Sequence, residues 1–303
     1  MLKKKMLTGI QTSSFVVLAA ILVACSKSSD IDWEHNGQVC IVLAWEKAQQ
    51  TRPPQMTYYF YTDDSDVPLV REGNAEGYVG VIPKGHYRVF ACNDNYRNVS
   101  LETNKGFDDA LAIAESTSSV AKAVTNVYVK QPEELYNARG TAIETKGEEP
   151  ALVSLPAGGL TRELQLNVMV IGLDSITHLE GTLSGLSPAM QLPSSMPRFS
   201  HPVAVTFELE KRNEGLYQAT LSLFGIFTGN ETEKPIEPYL YLTVTQDNGV
   251  TYTARCSLKN PAIEPFNRGE YACLVLDVEA RPSGTDVLDL AVKEWREGTA
   301  EAE

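Results

Sequence analysis

What most restricts the fold of this 303-residue chain is a two-residue hydrophobic period recurring along most of its length, with the 3.6-residue period of amphipathic helices nearly absent. Leu164, Leu166, Val168 and Val170 share one face, as do Val203, Val205, Phe207 and Leu209, and then Tyr217, Ala219, Leu221 and Leu223. Successive side chains of a strand point to opposite faces, so each run predicts a strand with one side in a core and one toward water. Residues 39–45, 56–61, 78–82 and 87–92 predict four more strands, separated by Pro53-Pro54, Asp63-Asp64-Ser65-Asp66 and Pro83-Lys84-Gly85. Leu240, Leu242 and Val244 lead into Asp247-Asn248-Gly249, after which residues 251–256 alternate again. The Asn-Gly pair predicts a tight hairpin turn with both central residues at positive φ. Only residues 107–115 suggest a short helix. The segment 286–295, DVLDLAVKEW, reads as a terminal strand with Leu288, Leu290 and Val292 on one face, against a competing helix that its Ala, Leu, Lys and Glu would also suit.

Strands at this spacing, without helices between them, predict an all-β protein of two tandem antiparallel β-sandwich domains. Residues 141–150 are charged and hold no bulky side chain besides Ile143, which places the domain boundary there. The expected organisation is an N-terminal sandwich over 38–145, a C-terminal sandwich over 150–280, and a C-terminal strand with an acidic tail over 281–303. No internal repeat of domain-building length is present.

The first residues carry a different signal. Lys3, Lys4 and Lys5 precede an apolar run over 15–24 that falls short of the ~20 residues needed to span a bilayer, the pattern of a signal peptide. Leu22-Val23-Ala24-Cys25 looks like a lipobox, so residues 1–24 are expected to be removed, Cys25 to carry the lipid, and residues 25–37 to form a tether. More than one acyl chain gives stable membrane attachment. Removing the signal takes three lysines and no acid, moving the formal charge from −13 to −16. Such an acidic chain repels nucleic acid, which is therefore excluded as a partner.

Residues with catalytic potential are few and scattered. His35, His86, His178 and His201 have no partner at metal-ligand spacing, and no nucleophile elbow, phosphate-binding loop or dinucleotide fingerprint occurs. No cofactor, metal or enzymatic activity is expected. Besides Cys25 there are four cysteines: Cys40 and Cys92 in the first half, Cys256 and Cys273 in the second. They stand in apolar segments, where an oxidising envelope permits one disulfide per half, or each is a small buried hydrophobe. The Asp63-Asp64-Ser65-Asp66 cluster lacks the spaced ligands of a calcium loop and reads as a solvated turn. Tyr58-Tyr59-Phe60-Tyr61 places one aromatic pair on each strand face, either half buried in a core or exposed as a sugar-stacking platform.

Taken in order, the lipobox, VCIVLAWEKAQQTRPPQMTYYFYTDD, KGHYRVFACNDN, LQLNVMVIGLDSITHLEGTLSGLS, LYQATLSLFGIF, LYLTVTQDNG and LAVKEW resemble the fimbrillin-like lipoproteins of Bacteroidales, especially the minor-fimbrium anchor and accessory type. The resemblance implies transthyretin-like sandwiches, an outer-membrane address at the cell surface, and fimbrial subunits as partners in pilus assembly and cell adhesion. It implies a strand-exchange assembly in which Leu288, Leu290 and Val292 are the donor-strand candidates, unless that strand closes its own sheet. Shaft subunits of the family lose their first strand by cleavage after a basic residue; here Arg52 follows the first strand, but Pro53 behind it hinders such a cut, which favours a basal anchor. Asp174-Ser175-Ile176 resembles the short O-glycan acceptor signal of Bacteroidales envelope proteins. The alternative function is a glycan-binding surface lipoprotein, and a hydrolase with dispersed carboxylates ranks third.

Overall fold

The computed structural model describes residues 31–45, 52–117, 127–229, 231, 236–271 and 273–298. The chain is all-β, with one five-residue helix, α1 (Ile263–Asn267), among the described elements. The first ten strands are β1 (Asn36–Trp45), β2 (Gln55–Tyr61), β3 (Leu69–Asn74), β4 (Gly77–Pro83), β5 (Gly85–Cys92), β6 (Val99–Glu102), β7 (Leu111–Ala114), β8 (Val127–Tyr128), β9 (Tyr136–Thr145) and β10 (Ala151–Gly159). Then follow β11 (Arg162–Val170), β12 (Ile176–Leu186), β13 (Ala189–Gln191), β14 (Met196–Arg198), β15 (Val203–Glu208), β16 (Glu210–Asn213), β17 (Leu216–Leu223), β18 (Tyr239–Gln246), β19 (Thr251–Ser257), β20 (Cys273–Gly284) and β21 (Val287–Gly298).

The first sheet departs from the expected open sandwich. It closes as a seven-stranded barrel in the order β1-β10-β9-β5-β2-β3-β4. Closure leaves no free edge, because β1 pairs antiparallel with β4 on one side and parallel with β10 on the other. Val39, Ile41, Met56, Tyr58, Phe60, Val89 and Leu155 fill its interior. The first half of the charged stretch over 141–150 is strand rather than linker: β9 runs through Thr145, and Ile143 and Thr145 are buried while Ala142 and Glu144 are exposed. Strand β10, beyond the expected boundary, hydrogen-bonds within the barrel, so the first sheet extends to Gly159.

The second sheet has ten strands in the order β16-β17-β11-β20-β21-β19-β18-β12-β15-β8. Its halves meet at one residue pair, Thr253 with Val287. The alternating runs at 164–170, 203–209 and 217–223 all turn their apolar side inward. The helix expected over 107–115 is not formed. Residues 111–114 are β7, which pairs with β6 and β13 in a four-stranded sheet, and Ala112 and Ala114 are buried. Pairing on both edges outweighs the strong helix preference of Ala and Leu.

The 246–249 turn also differs from its expected geometry. Gly249 has φ 81°, but Asn248 does not have positive φ. Gly249 donates its N–H to Gln246 O at 3.0 Å and Gln246 donates to Val250 O at 2.9 Å. This is the longer hairpin loop in which a turn is followed by a left-handed glycine, so a single residue at positive φ suffices.

Candidate functional site

The lipobox segment and the donor-strand candidates lie toward the two ends of the chain. Cys25, the signal peptide over 1–24 and the first tether residues lie outside the described residues. From Ile31 the chain winds into β1 through a turn held by Asp32. Its Oδ2 meets His35 Nδ1 at 2.7 Å, and its carbonyl accepts from the backbone N–H and the Nδ2 of Asn36 at 3.0 and 2.9 Å. The His35 hydrogen bond holds the Asp32 carboxyl below the usual carboxylate range. Strand β1 is then paired over seven positions with β10 and over seven with β4. Past it, Arg52 is exposed with its guanidinium 5.8 Å from the Trp45 ring centroid, and Pro53 is buried.

At the other end, β21 is a strand, as expected over the helix. It pairs along its length with β20, from Cys273 opposite Gly298 to Gly284 opposite Val287. Leu288 is buried, and Leu290, Val292 and Trp295 pack half-buried against the larger core. The donor-strand candidates Leu288, Leu290 and Val292 thus face this chain's own core.

The other residues singled out in the sequence are dispersed. Tyr58, Phe60 and Tyr61 are each at most 1% exposed, which removes the aromatic platform. Tyr58 and Phe60 point into the barrel, while Tyr59 and Tyr61 stack on Phe90 against the second core at 5.1 and 5.8 Å. Cys92, Cys256 and Cys273 carry free thiols, and Cys40 is buried in β1. Burial pushes Cys92 and Cys273 up to about 12 and Cys256 to about 11. Asp63, Asp64, Ser65 and Asp66 form an exposed turn. Ser175 is exposed at φ 54°, in a bend whose carbonyls accept from Gln246 and Asp247. His35, His86 and His178 lie beside carboxylates at the surface, and His201 beside Ser200.

Sequence reasoning missed a cleft of about 510 Å³ where the barrel meets the second sheet. Its walls come from 131–139, the end of β10, the start of β11, β17 and the loop after α1. Arg162 is built into it, 6% exposed, donating from Nε to Phe266 O at 2.7 Å, from Nη1 to Leu160 O at 3.1 Å and from Nη2 to Ser195 O at 3.1 Å. Asn137, 3% exposed, donates its Nδ2 to Leu192 O, while its Oδ1 is buried with no hydrogen-bond partner among the described residues. The wall residues come from five stretches spread between Gln131 and Tyr271, so no local motif marked the site.

The solved structures of similar shape include a candidate adhesin from Bacteroides ovatus, 17% identical with a TM-score of 0.60 over 95% of each chain. A candidate polysaccharide-binding protein from Bacteroides thetaiotaomicron is 8% identical, with a TM-score of 0.55 over 87% of this chain and 99% of that one. The fimbrial anchor protein Mfa2 from Porphyromonas gingivalis is 10% identical, with a TM-score of 0.52 over 86% of this chain and 96% of that one. At these identities the likeness is one of fold. No curated protein matches the chain. A family model described as a domain of unknown function, DUF5119, matches residues 24–208, more than half of the sequence, and the chain belongs to that family.

Proposed function

We propose that the protein is a non-enzymatic lipoprotein of the outer membrane that acts in adhesion as a fimbrial anchor or accessory subunit. The observation that carries this reading is the way β1 is built in. The strand that follows the lipobox segment is clamped between β4 and β10 rather than hung on an edge. A pull between the membrane and a bound polymer would enter at Asn36 and run along the strand axis. It would load both ladders in shear, so that many hydrogen bonds must fail together. An edge strand peeled from one end would lose them one at a time. In this reading β21 stays in its own sheet, since donating it would strip β20 of an eleven-pair ladder and uncover Leu288. The fold shared with adhesins and with a fimbrial anchor agrees with this role.

Replacing Cys25 by Ser in the native host, followed by fractionation and electron microscopy, tests it. The expected outcome is protein and fimbriae together in the medium. Soluble protein with fimbriae still on the cells would refute the anchor.

A further inference from the structure

The cleft beside Arg162 has features that neither a mechanical role nor fold stability explains. It is a concavity at the junction of two bodies, a common place for small-molecule sites, and at about 510 Å³ it falls within their usual range of roughly 300–1,000 Å³. Its charges are already engaged. Glu133 and Glu134 both pair with Arg97, at 2.9 and 3.0 Å, and the guanidinium of Arg162 faces three carbonyls. Glu163 hydrogen-bonds the Cys273 thiol, and Arg139 is engaged as well. What remains to meet a ligand is neutral: the hydroxyls of Thr161, Thr220 and Ser222 and the phenols of Tyr136 and Tyr271. Gln131 spends its Oε1 on the Ser222 N–H at 2.9 Å, which leaves its amide N–H groups as donors.

Asn137 points the same way. Its Oδ1 is an acceptor withdrawn from solvent without a donor, a state that costs about 1–3 kcal/mol in a buried group. A ligand hydroxyl would relieve it once a small rotation of the Asn137 side chain brought the oxygen to the cleft wall. An anionic ligand would meet three glutamates against two arginines, Arg139 and Arg162, that are already committed elsewhere, and a purely apolar one would strand the hydroxyls. A ligand that is neutral, rich in hydroxyls and flat enough to lie on a half-buried tyrosine fits all of these constraints.

We infer that this cleft binds a short neutral oligosaccharide, with a sugar ring against Tyr271, since Tyr136 is already edge-on to Trp45, and hydroxyls on Asn137, Thr161 and Thr220. The site is independent of the anchor reading and stands or falls on purified protein.

Detergent-solubilised full-length protein is titrated by calorimetry with maltotriose, cellotriose, xylotriose and mannotriose, and with trigalacturonate as an anionic comparator. Saturable binding of at least one neutral trisaccharide is expected, with trigalacturonate weaker. Thr220→Trp puts a ring into the cleft from an exposed strand position, and should weaken that binding by about tenfold or more without shifting the melting temperature. If that variant folds poorly, Tyr271→Ala, which removes an aromatic wall from a loop, must show the same loss. No heat with any neutral sugar at millimolar concentration, preference for trigalacturonate, or binding unchanged in a folded cleft variant would each overturn the inference.

Discussion

At the scale of single residues, the buried thiols make this protein sensitive to alkali. Desolvation favours the neutral thiol, and Cys92 and Cys273 sit at about 12 and Cys256 at about 11, against an ordinary value of 9.0. A group whose folded pKa is raised contributes stability that is fully present below its unfolded pKa and is lost as pH climbs toward the folded one. The unfolded chain releases these protons above about pH 9 while the folded chain keeps them, so urea midpoints should fall steeply from pH 9 to 11. The phenols of Tyr58, Tyr59 and Tyr61, also pushed up by burial, add to the slope at the alkaline end. Cys92→Ala, at a fully buried thiol beside the Tyr59 phenol, should flatten the fall measurably while lowering the midpoint at pH 7. A pH profile identical to the parent would show that the Cys92 thiol ionises equally well in the folded protein.

Among the strands, glycine marks where packing rather than turn chemistry sets the sequence. Gly181 in β12 lies directly opposite Phe207 in β15, and a Cβ there would stand 2.4 Å from the ring. The aromatic ring lies across the bare backbone of its neighbour, filling the place of the missing side chain. Gly181→Val should therefore destabilise by about 2–3 kcal/mol, despite the better strand propensity of valine, because Phe207 must leave its site. Chemical denaturation measures this, and an unchanged or raised stability would mean that the ring moves aside freely. Sequence pattern exposed the long strands for the reason this pair illustrates: one face is buried, so alternation is written into 164–170 and 217–223. It failed at β7, whose Leu-Ala-Ile-Ala suits a helix and is held as strand by β6 and the distant β13, and at 141–145, where small and charged residues alternate around Ile143 without looking apolar. The barrel closure was also hidden, since the partner of β1 lies over a hundred residues away in β10. The cleft escaped for the same reason, being assembled from ends of strands that share no spacing.

Over the whole molecule, the sequence suggests two separable domains, while the packing ties them together. The barrel interior is a core of its own, but the larger core takes Tyr61, Phe90, Phe107 and Leu135 from the barrel side together with the apolar faces of β11, β12, β17 and β18. Polar contacts cross as well: Gln131 Oε1 accepts from Ser222, Gln191 donates to Asp108 O, and β7 pairs with β13. Phe107 belongs to the larger core at this junction, edge-on to Tyr61 at 5.7 Å, 5.9 Å from Phe90, and covered by the Arg88 guanidinium at 4.6 Å. With so much apolar surface shared, neither body can open without exposing the other, and unfolding should be one transition seen alike by near- and far-ultraviolet circular dichroism. Phe107→Ala should lower stability by about 3–4 kcal/mol and move that single transition intact to lower denaturant. If the variant instead splits into two transitions, with the barrel melting apart from the second sheet, the junction is a contact between independent domains. The same result would weaken the mechanical reading, because a load entering through β1 would then pass to the second sheet along the covalent link from β10 to β11 without the support of this shared core.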